Sequence, residues 1–134
     1  AELATAVKYK LPIRVIVFNN SYFGMIKWEQ MVFLGNPEYA CDLQPIDFAG
    51  VARACGVEAF RVEDPAQLGA VLDSAFAVEG PVLVDAVVDQ FEPPMPPKVT
   101  PEQVKHLTQS LLKGEPNREK IALTLISDQV RQLI

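Results

Sequence analysis

The residues with most chemistry to offer fall in one stretch. Asn19 and Asn20 follow the apolar run Val15 to Phe18, and Ser21-Tyr22-Phe23-Gly24-Met25 leads on to Lys27, Trp28 and Glu29. An asparagine side-chain oxygen and backbone carbonyls at a strand end can coordinate a hard cation such as Mg²⁺. Amides that open a helix can accept a phosphate group. Asn-Asn behind a strand is by itself a common turn, so the dipeptide alone decides little. Other reactive types are sparse. Cys41 and Cys55 form no CxxC pair, and with His106 as the single histidine a Cys/His zinc site is hard to assemble. Asp85 and Asp89 could suggest a phospho-acceptor, but the clustered acids and lysine that such a site needs are not apparent.

The elements that must position these residues follow from hydrophobic spacing. Leu3, Ala4 and Val7 share one face of a short helix ahead of Pro12, and Ile13–Phe18 reads as a strand covered on both faces of a parallel sheet. Residues 22–34 read as a helix with Met25, Ile26, Met31 and Leu34 apolar, broken at Gly35-Asn36-Pro37, with a loop to Pro45. Asp47 is placed to cap a helix that stops at Gly56, and Val57–Val62 is a short strand. Asp64-Pro65 opens a helix with Leu68, Val71, Leu72, Ala75 and Phe76 on its apolar face, and Pro81–Val88 is a further buried strand. Strands and helices alternate. The pattern predicts an α/β fold, a three-layer Rossmann-like parallel sheet with helices on both faces, present in part.

Beyond Phe91 the character changes. Glu92 to Lys98 holds four prolines in seven residues, a stiff extended strap. Thr100-Pro101-Glu102-Gln103 then starts a helix, and a last helix after Pro116 carries Ile121, Leu125, Ile126, Val130, Leu133 and Ile134 on one face. The expected division is residues 1–90 as sheet and covering helices, 91–99 as strap and 100–134 as a helical extension.

With 134 residues and 49% apolar content, the chain can build one core but not two. Its net charge of −5 argues against a general nucleic-acid binder. No stretch approaches the roughly 20 apolar residues that cross a bilayer. The low cysteine content suits a reducing, cytoplasmic setting. The opening Ala-Glu-Leu-Ala-Thr-Ala-Val-Lys-Tyr-Lys, without Met or signal-peptide organisation, reads as the middle of a helix, so a fragment is expected.

The run Val15-Ile16-Val17-Phe18-Asn19-Asn20-Ser21-Tyr22-Phe23-Gly24-Met25-Ile26-Lys27-Trp28-Glu29 resembles the second half of the thiamine-diphosphate motif of the pyruvate oxidase and acetolactate synthase family. The resemblance extends to Asp47–Val57, Gly80–Asp89 and the strap Pro93–Lys98. It implies the C-terminal part of a diphosphate-binding domain, with the Asn20 side-chain oxygen and the Tyr22 backbone carbonyl as Mg²⁺ ligands. It also implies that Gly24, Met25 and Ile26 lie near the diphosphate and thiazolium of thiamine diphosphate. The family's Gly-Asp-Gly, which supplies a carboxylate to the metal, does not occur in the 18 residues before Asn19 and is expected outside this sequence.

Glu29 falls where pyruvate oxidases resemble one another in an active-site glutamate and acetolactate synthases in a tryptophan. It is the expected catalytic residue, a carboxylate able to move protons during decarboxylation of a 2-keto acid such as pyruvate. Trp28, one residue away, keeps the carboligase alternative open. The resemblance further implies FAD in the whole enzyme, bound outside this chain, and a homo-oligomer (dimer or tetramer) whose site lies between two subunits. The isolated chain is then expected to be inactive.

Against these readings stand plainer ones. Lys27 is expected as a surface lysine, His106 as remote from chemistry, Cys41 as a loop thiol and Cys55 as a small buried residue. Residues 118–134 could reach a membrane surface, as in some pyruvate oxidases, but their mixed-charge face without Trp or Phe favours packing on protein. A non-catalytic α/β interaction module is the reading from a different class.

Overall fold

Two runs of branched apolar residues and the alternating segment Glu58–Val62 pair as parallel strands, and the helices between them carry the chain back each time. The computed structural model describes residues 2–92 and 99–131, except for the side chains of 128–131. The order is α1 (Glu2–Lys8), β1 (Arg14–Asn19), α2 (Gly24–Trp28) running into a π-helical segment (Glu29–Phe33), α3 (Phe48–Ala54) and β2 (Glu58–Val62). A 3₁₀ turn (Pro65–Gln67), α4 (Leu68–Ala77), β3 (Val82–Val87), α5 (Pro101–Leu112) and α6 (Arg118–Arg131) follow. Residues 1–20 with 45–88 form one compact unit, and residues 21–44 with 89–134 form a second.

The first unit is the α/β sheet that the alternation predicts. Strand order is β1-β3-β2, with Val15 opposite Leu83 and Ala59 opposite Leu83 in the two parallel registers. Leu83 faces Ala49, Ala52 and Val57, together with Leu3 and Val7 of α1. Val82, Val84 and Ala86 point the other way, against Ala75 and Val71 of α4. Two helices therefore cover one face and one covers the other, which a period-two strand with both faces apolar requires.

Burial differs in detail from the spacing argument. The doubly covered strand is β3, where Val82 to Ala86 are all buried. β1 lies at the edge of the sheet: Val15 and Val17 pack on the α1 and α3 side, but Ile16 is 44% and Phe18 75% exposed. These two side chains border an apolar hollow of about 310 Å³, completed by Val62, Leu68, Leu72 and Val84 among others. In α1 the buried alanine is Ala6 and not Ala4, because Leu3, Ala6 and Val7 fall within one turn. In α4, Phe76 stays 62% exposed and Leu68 40%, so the helix rests on Val71 and Ala75.

Local signals are placed as expected. Asp47 accepts a hydrogen bond from the Gly50 amide at 2.7 Å, and Asp64 accepts one from Ala66 at 2.9 Å. At the end of α3 the Val57 amide donates to Ala52 and the Gly56 amide to Arg53, with Gly56 at φ +84°. This is a Schellman closure, in which the left-handed residue carries no Cβ penalty only if it is glycine. Arg14 at the head of β1 donates to the carbonyls of Phe76, Val78 and Gly80, tying the end of α4 to the sheet.

The second unit is helical. Trp28, Met31, Val32 and Ile121 form its buried centre, with Phe91, Leu107, Leu111 and Leu125 against them. Thr100 and Gln103 make a complete capping box at the start of α5. In α6, Ile121 and Leu125 face the core as expected, but Ile126 is 62% exposed. Val130, Leu133 and Ile134, and the prolines of the strap, lie outside the residues whose side chains are described.

Two glycines give opposite expected outcomes. At Gly56 a Cβ meets nothing closer than 3.6 Å, so Gly56→Ala is costly through its backbone alone, by about 1–2 kcal/mol. At Gly69, inside α4 with open space around it, alanine stabilises by about 0.5–1 kcal/mol. Urea denaturation of both variants checks the pair, and equal shifts in the same direction would contradict this account of α3's end.

Candidate functional site

In the first unit β1 ends at Asn19. The Asn19 carbonyl accepts from the Val88 amide at 3.0 Å, which continues the parallel register past the last paired residues. Its side chain is buried and donates to Asp85 at 3.0 Å and to the Ile46 carbonyl at 3.3 Å. Asp85 is fully buried, and its second oxygen accepts from Arg61 at 2.7 Å, while Arg61 also reaches Glu63 at 2.8 Å. Three adjacent strands thus lock together through one carboxylate. Asp85 is a structural acid, in agreement with the sequence argument against a phospho-acceptor. Asn19 is fully engaged by this lock, and Asn20, half-buried, is the asparagine that follows beyond the strand.

Tyr22, Gly24, Met25, Ile26 and Glu29 lie in the second unit. Ser21 sits at φ +54°, a left-handed conformation that bulky residues avoid, and it turns the chain into an isolated antiparallel bridge between Tyr22 and Asp42. The bridge is made by residues on either side: Leu43 donates to the Ser21 carbonyl at 3.0 Å and Phe23 to the Cys41 carbonyl at 2.9 Å. α2 then begins at Gly24 with Phe23 as its N-cap residue, and no side chain caps it. Met25 is 65% and Ile26 49% exposed, Gly24 is half-buried and Glu29 is exposed.

The helix predicted over 22–34 starts at Gly24 and changes character at Glu29. The Leu34 amide reaches back to the Glu29 carbonyl at 3.2 Å, five residues earlier, which is π-helical closure. Such an insertion commonly marks a functional segment. Trp28, the last residue of α2, is buried in the core, and Glu29, the first of the π-helical segment, is on the surface.

Lys27 corrects the expectation of a surface lysine. Its side chain has no solvent exposure, and Nζ lies 2.9 Å from Glu38 Oε2. Rings of Tyr22, Phe91 and Trp28 stand 4.8, 5.3 and 5.8 Å from the ammonium. Glu38 in turn accepts from Asn117 at 3.1 Å, and its amide donates to Glu115 at 2.9 Å. Glu115 is buried, and desolvation holds its carboxyl above the usual range. No sequence signal pointed here, because a lysine on a polar helical position looks the same whether solvated or paired.

The cysteines and the histidine lie apart from this segment's helix start. Cys41 is buried, donates to the Tyr39 carbonyl at 3.4 Å, and is pushed up in pKa by burial, which makes it an unreactive thiol. Cys55 is half-buried and packs on the sheet core. His106 backs onto Gly35, whose Cβ would stand 3.4 Å from the His106 backbone. Among the described residues no three His, Cys, Asp or Glu side chains gather into a metal site, and no helix is long and apolar enough to cross a membrane.

The parallel sheet with helices on both faces defines the class, an α/β fold, and comparison with known proteins identifies the family. Residues 1–86 match the family described as thiamine pyrophosphate enzyme, C-terminal TPP binding domain. A putative thiamine pyrophosphate-containing protein of Bacillus subtilis is 36% identical over 132 residues, covering 98% of this chain and 23% of that protein. An acetolactate synthase of Bacillus subtilis is 41% identical over 88 residues, 66% of this chain and 15% of the synthase. A pyruvate oxidase of Lactiplantibacillus plantarum is 38% identical over 94 residues, 69% of this chain and 16% of the oxidase. The chain belongs to the thiamine pyrophosphate enzyme family, and it spans less than a quarter of the length of these relatives.

Tyr22 provides a check on the second unit. A hydrogen bond to Asp42, burial and the Glu38 charge all raise its phenol well above the ordinary range. A raised acid pKa stabilises the fold below the unfolded value of about 10, and that contribution is lost as pH climbs above it. Tyr22→Phe should therefore cost about 1 kcal/mol at pH 7, with the difference shrinking above pH ~10. Urea midpoints at both pH values test this; a deficit that grows with pH would refute it.

Proposed function

We propose that these residues are the diphosphate-binding part of a larger thiamine-diphosphate- and Mg²⁺-dependent enzyme that decarboxylates a 2-keto acid such as pyruvate, of the oxidase type. Family membership supplies the cofactor class. The observation that carries the residue assignment is the arrangement at 19–29: Asn19 is held by Asp85, and Asn20 follows it beyond the strand end. After Asn20 come Tyr22 and a helix start that no side chain caps.

These residues fit the cofactor's demands. Oxygen donors suit Mg²⁺, and here they are the Asn20 side-chain oxygen and the Tyr22 carbonyl. The unbonded amides at a helix start suit a diphosphate, and here they belong to Gly24, Met25 and Ile26. The exposed side chains of Met25 and Ile26 offer apolar surface to the aromatic end of a cofactor. When bound, thiamine diphosphate supplies the electron sink for loss of carbon dioxide. Glu29 then holds or moves a proton at its carboxylate oxygens, since it is exposed on the same helical run. FAD, a second subunit and the carboxylate ligand to Mg²⁺ come from outside these residues in this reading.

The acetolactate synthase relative supports a second reading, a carboligase of the same cofactor class. The structure bears on the choice through the pair Trp28 and Glu29. Trp28 is 5% exposed and packed against Met31 and Ile121, so the side chain offered outward is the carboxylate. That supports the oxidase-type reading.

Three outcomes are expected. Calorimetry of the 134-residue chain with thiamine diphosphate and Mg²⁺ should show no micromolar binding, because only two of about six oxygen ligands are assigned to it. In the full-length enzyme, Asn20→Ala should weaken Mg²⁺-dependent cofactor binding by about 10–100-fold. Glu29→Gln should lower kcat by about 100-fold with cofactor affinity kept. Unchanged cofactor binding in Asn20→Ala would overturn the ligand assignment.

A further inference from the structure

Lys27 is an expensive residue to place where it is. An ammonium without solvent exposure loses its hydration, and apolar side chains of similar volume commonly stabilise such a position as well or better. Stability alone therefore gives no reason for a lysine there. The contacts it makes suggest another. Nζ meets Glu38, and Glu38 lies in the loop that follows the π-helical segment. The same loop carries Cys41 and Leu43, which hold the Phe23 amide and the Ser21 carbonyl.

The loop is also gripped from other sides. Gln30 Oε1 accepts from the Tyr39 amide at 2.7 Å, and its amide nitrogen donates to the Tyr39 carbonyl at 3.2 Å. Lys113 Nζ donates to the Gly35 carbonyl at 2.8 Å and to Asn36 at 3.1 Å. Asn117 and Glu115, at the start of α6, complete the ring around Glu38. A buried ion pair has a narrow geometry, since its attraction falls steeply once the charges separate in a low-dielectric interior.

We propose that Lys27 and Glu38 are positioning residues: their buried ion pair fixes the 36–43 loop, and through the Ser21–Leu43 and Phe23–Cys41 hydrogen bonds it fixes the backbone that presents the Tyr22 carbonyl and the Gly24–Ile26 amides. This rests on the cofactor reading above for what the backbone presents, but the ordering itself does not. Lys27 and Glu38 touch neither metal nor cofactor in this account. The α5–α6 turn, through Glu115 and Asn117, thereby influences a segment it does not belong to.

Hydrogen exchange separates the two layers. In the 134-residue chain, Lys27→Met combined with Glu38→Gln removes both charges at similar volume. Amides of Phe23 and Leu43 should then exchange at least tenfold faster, while the Ile121 amide, bonded to the Asn117 carbonyl at 3.0 Å, should be unchanged. Ile121→Val lowers core packing without touching the ion pair, and should not single out Phe23 and Leu43. Should the double variant fail to fold, Glu38→Gln alone is measured in the same way. Equal acceleration at Phe23, Leu43 and Ile121, or the same pattern in Ile121→Val, would overturn the ordering role. In the full-length enzyme the double variant should weaken Mg²⁺ binding at least tenfold; unchanged affinity beside faster local exchange would overturn the positioning role. Absence of Mg²⁺ and thiamine diphosphate binding in the unsubstituted enzyme would instead strike the cofactor reading and leave the exchange result standing.

Discussion

A lysine ammonium shut away from water is the constraint to which the second unit is built. Nζ of Lys27 must find a counter-charge, and Glu38 provides it at 2.9 Å with three aromatic rings around the pair. Glu38 must then satisfy its other oxygen and its backbone, which brings in Asn117 and Glu115. Each step follows from the cost of burying charge, and the compensation is ionic rather than hydrogen-bonded at Lys27 Nζ and Glu38 Oε2, which lie 2.9 Å apart without hydrogen-bond geometry. The loop at 35–43 has little hydrophobic burial of its own, so these polar contacts and the Gln30 and Lys113 hydrogen bonds are what order it.

The first unit solves a parallel problem with the opposite charge. Asp85, on the central strand, is buried between its two neighbours and is bound by Asn19 from one side and Arg61 from the other. The carboxylate keeps the three strand ends in register where the chain leaves the sheet. A buried charge held close to a counter-charge restricts the arrangements its segment can take.

The family resemblance and the geometry support different parts of the functional reading. Matching residues 1–86 to a thiamine pyrophosphate binding domain assigns the cofactor class. Relatives named as oxidase and as synthase match at similar identity, so identity does not separate them. The burial of Trp28 and exposure of Glu29, at the point where α closure gives way to π closure, bear on that choice.

Much of the fold was legible from sequence because it rests on local rules. Asp47, Gly56, Asp64-Pro65 and Thr100 announce helix ends through hydrogen bonds to neighbours a few residues away. Alternation of branched runs with helical spacing gives strand number and parallel connection. The Asn19-Asn20 turn and the helix after it were legible as well, though their chemistry needed the longer resemblance. Two things were not. The spacing made β1 a doubly covered strand, whereas β3 holds the centre and Phe18 is left exposed; strand order depends on pairing between distant segments, which periodicity does not encode. Lys27 read as solvated, and its burial depends on Glu38, Phe91 and Asn117 arriving from three other parts of the chain. The sequence by itself determined the elements, their caps and the family; the tertiary structure decided which charges are buried and what they hold, because desolvation is a property of the assembled surroundings and not of the residue.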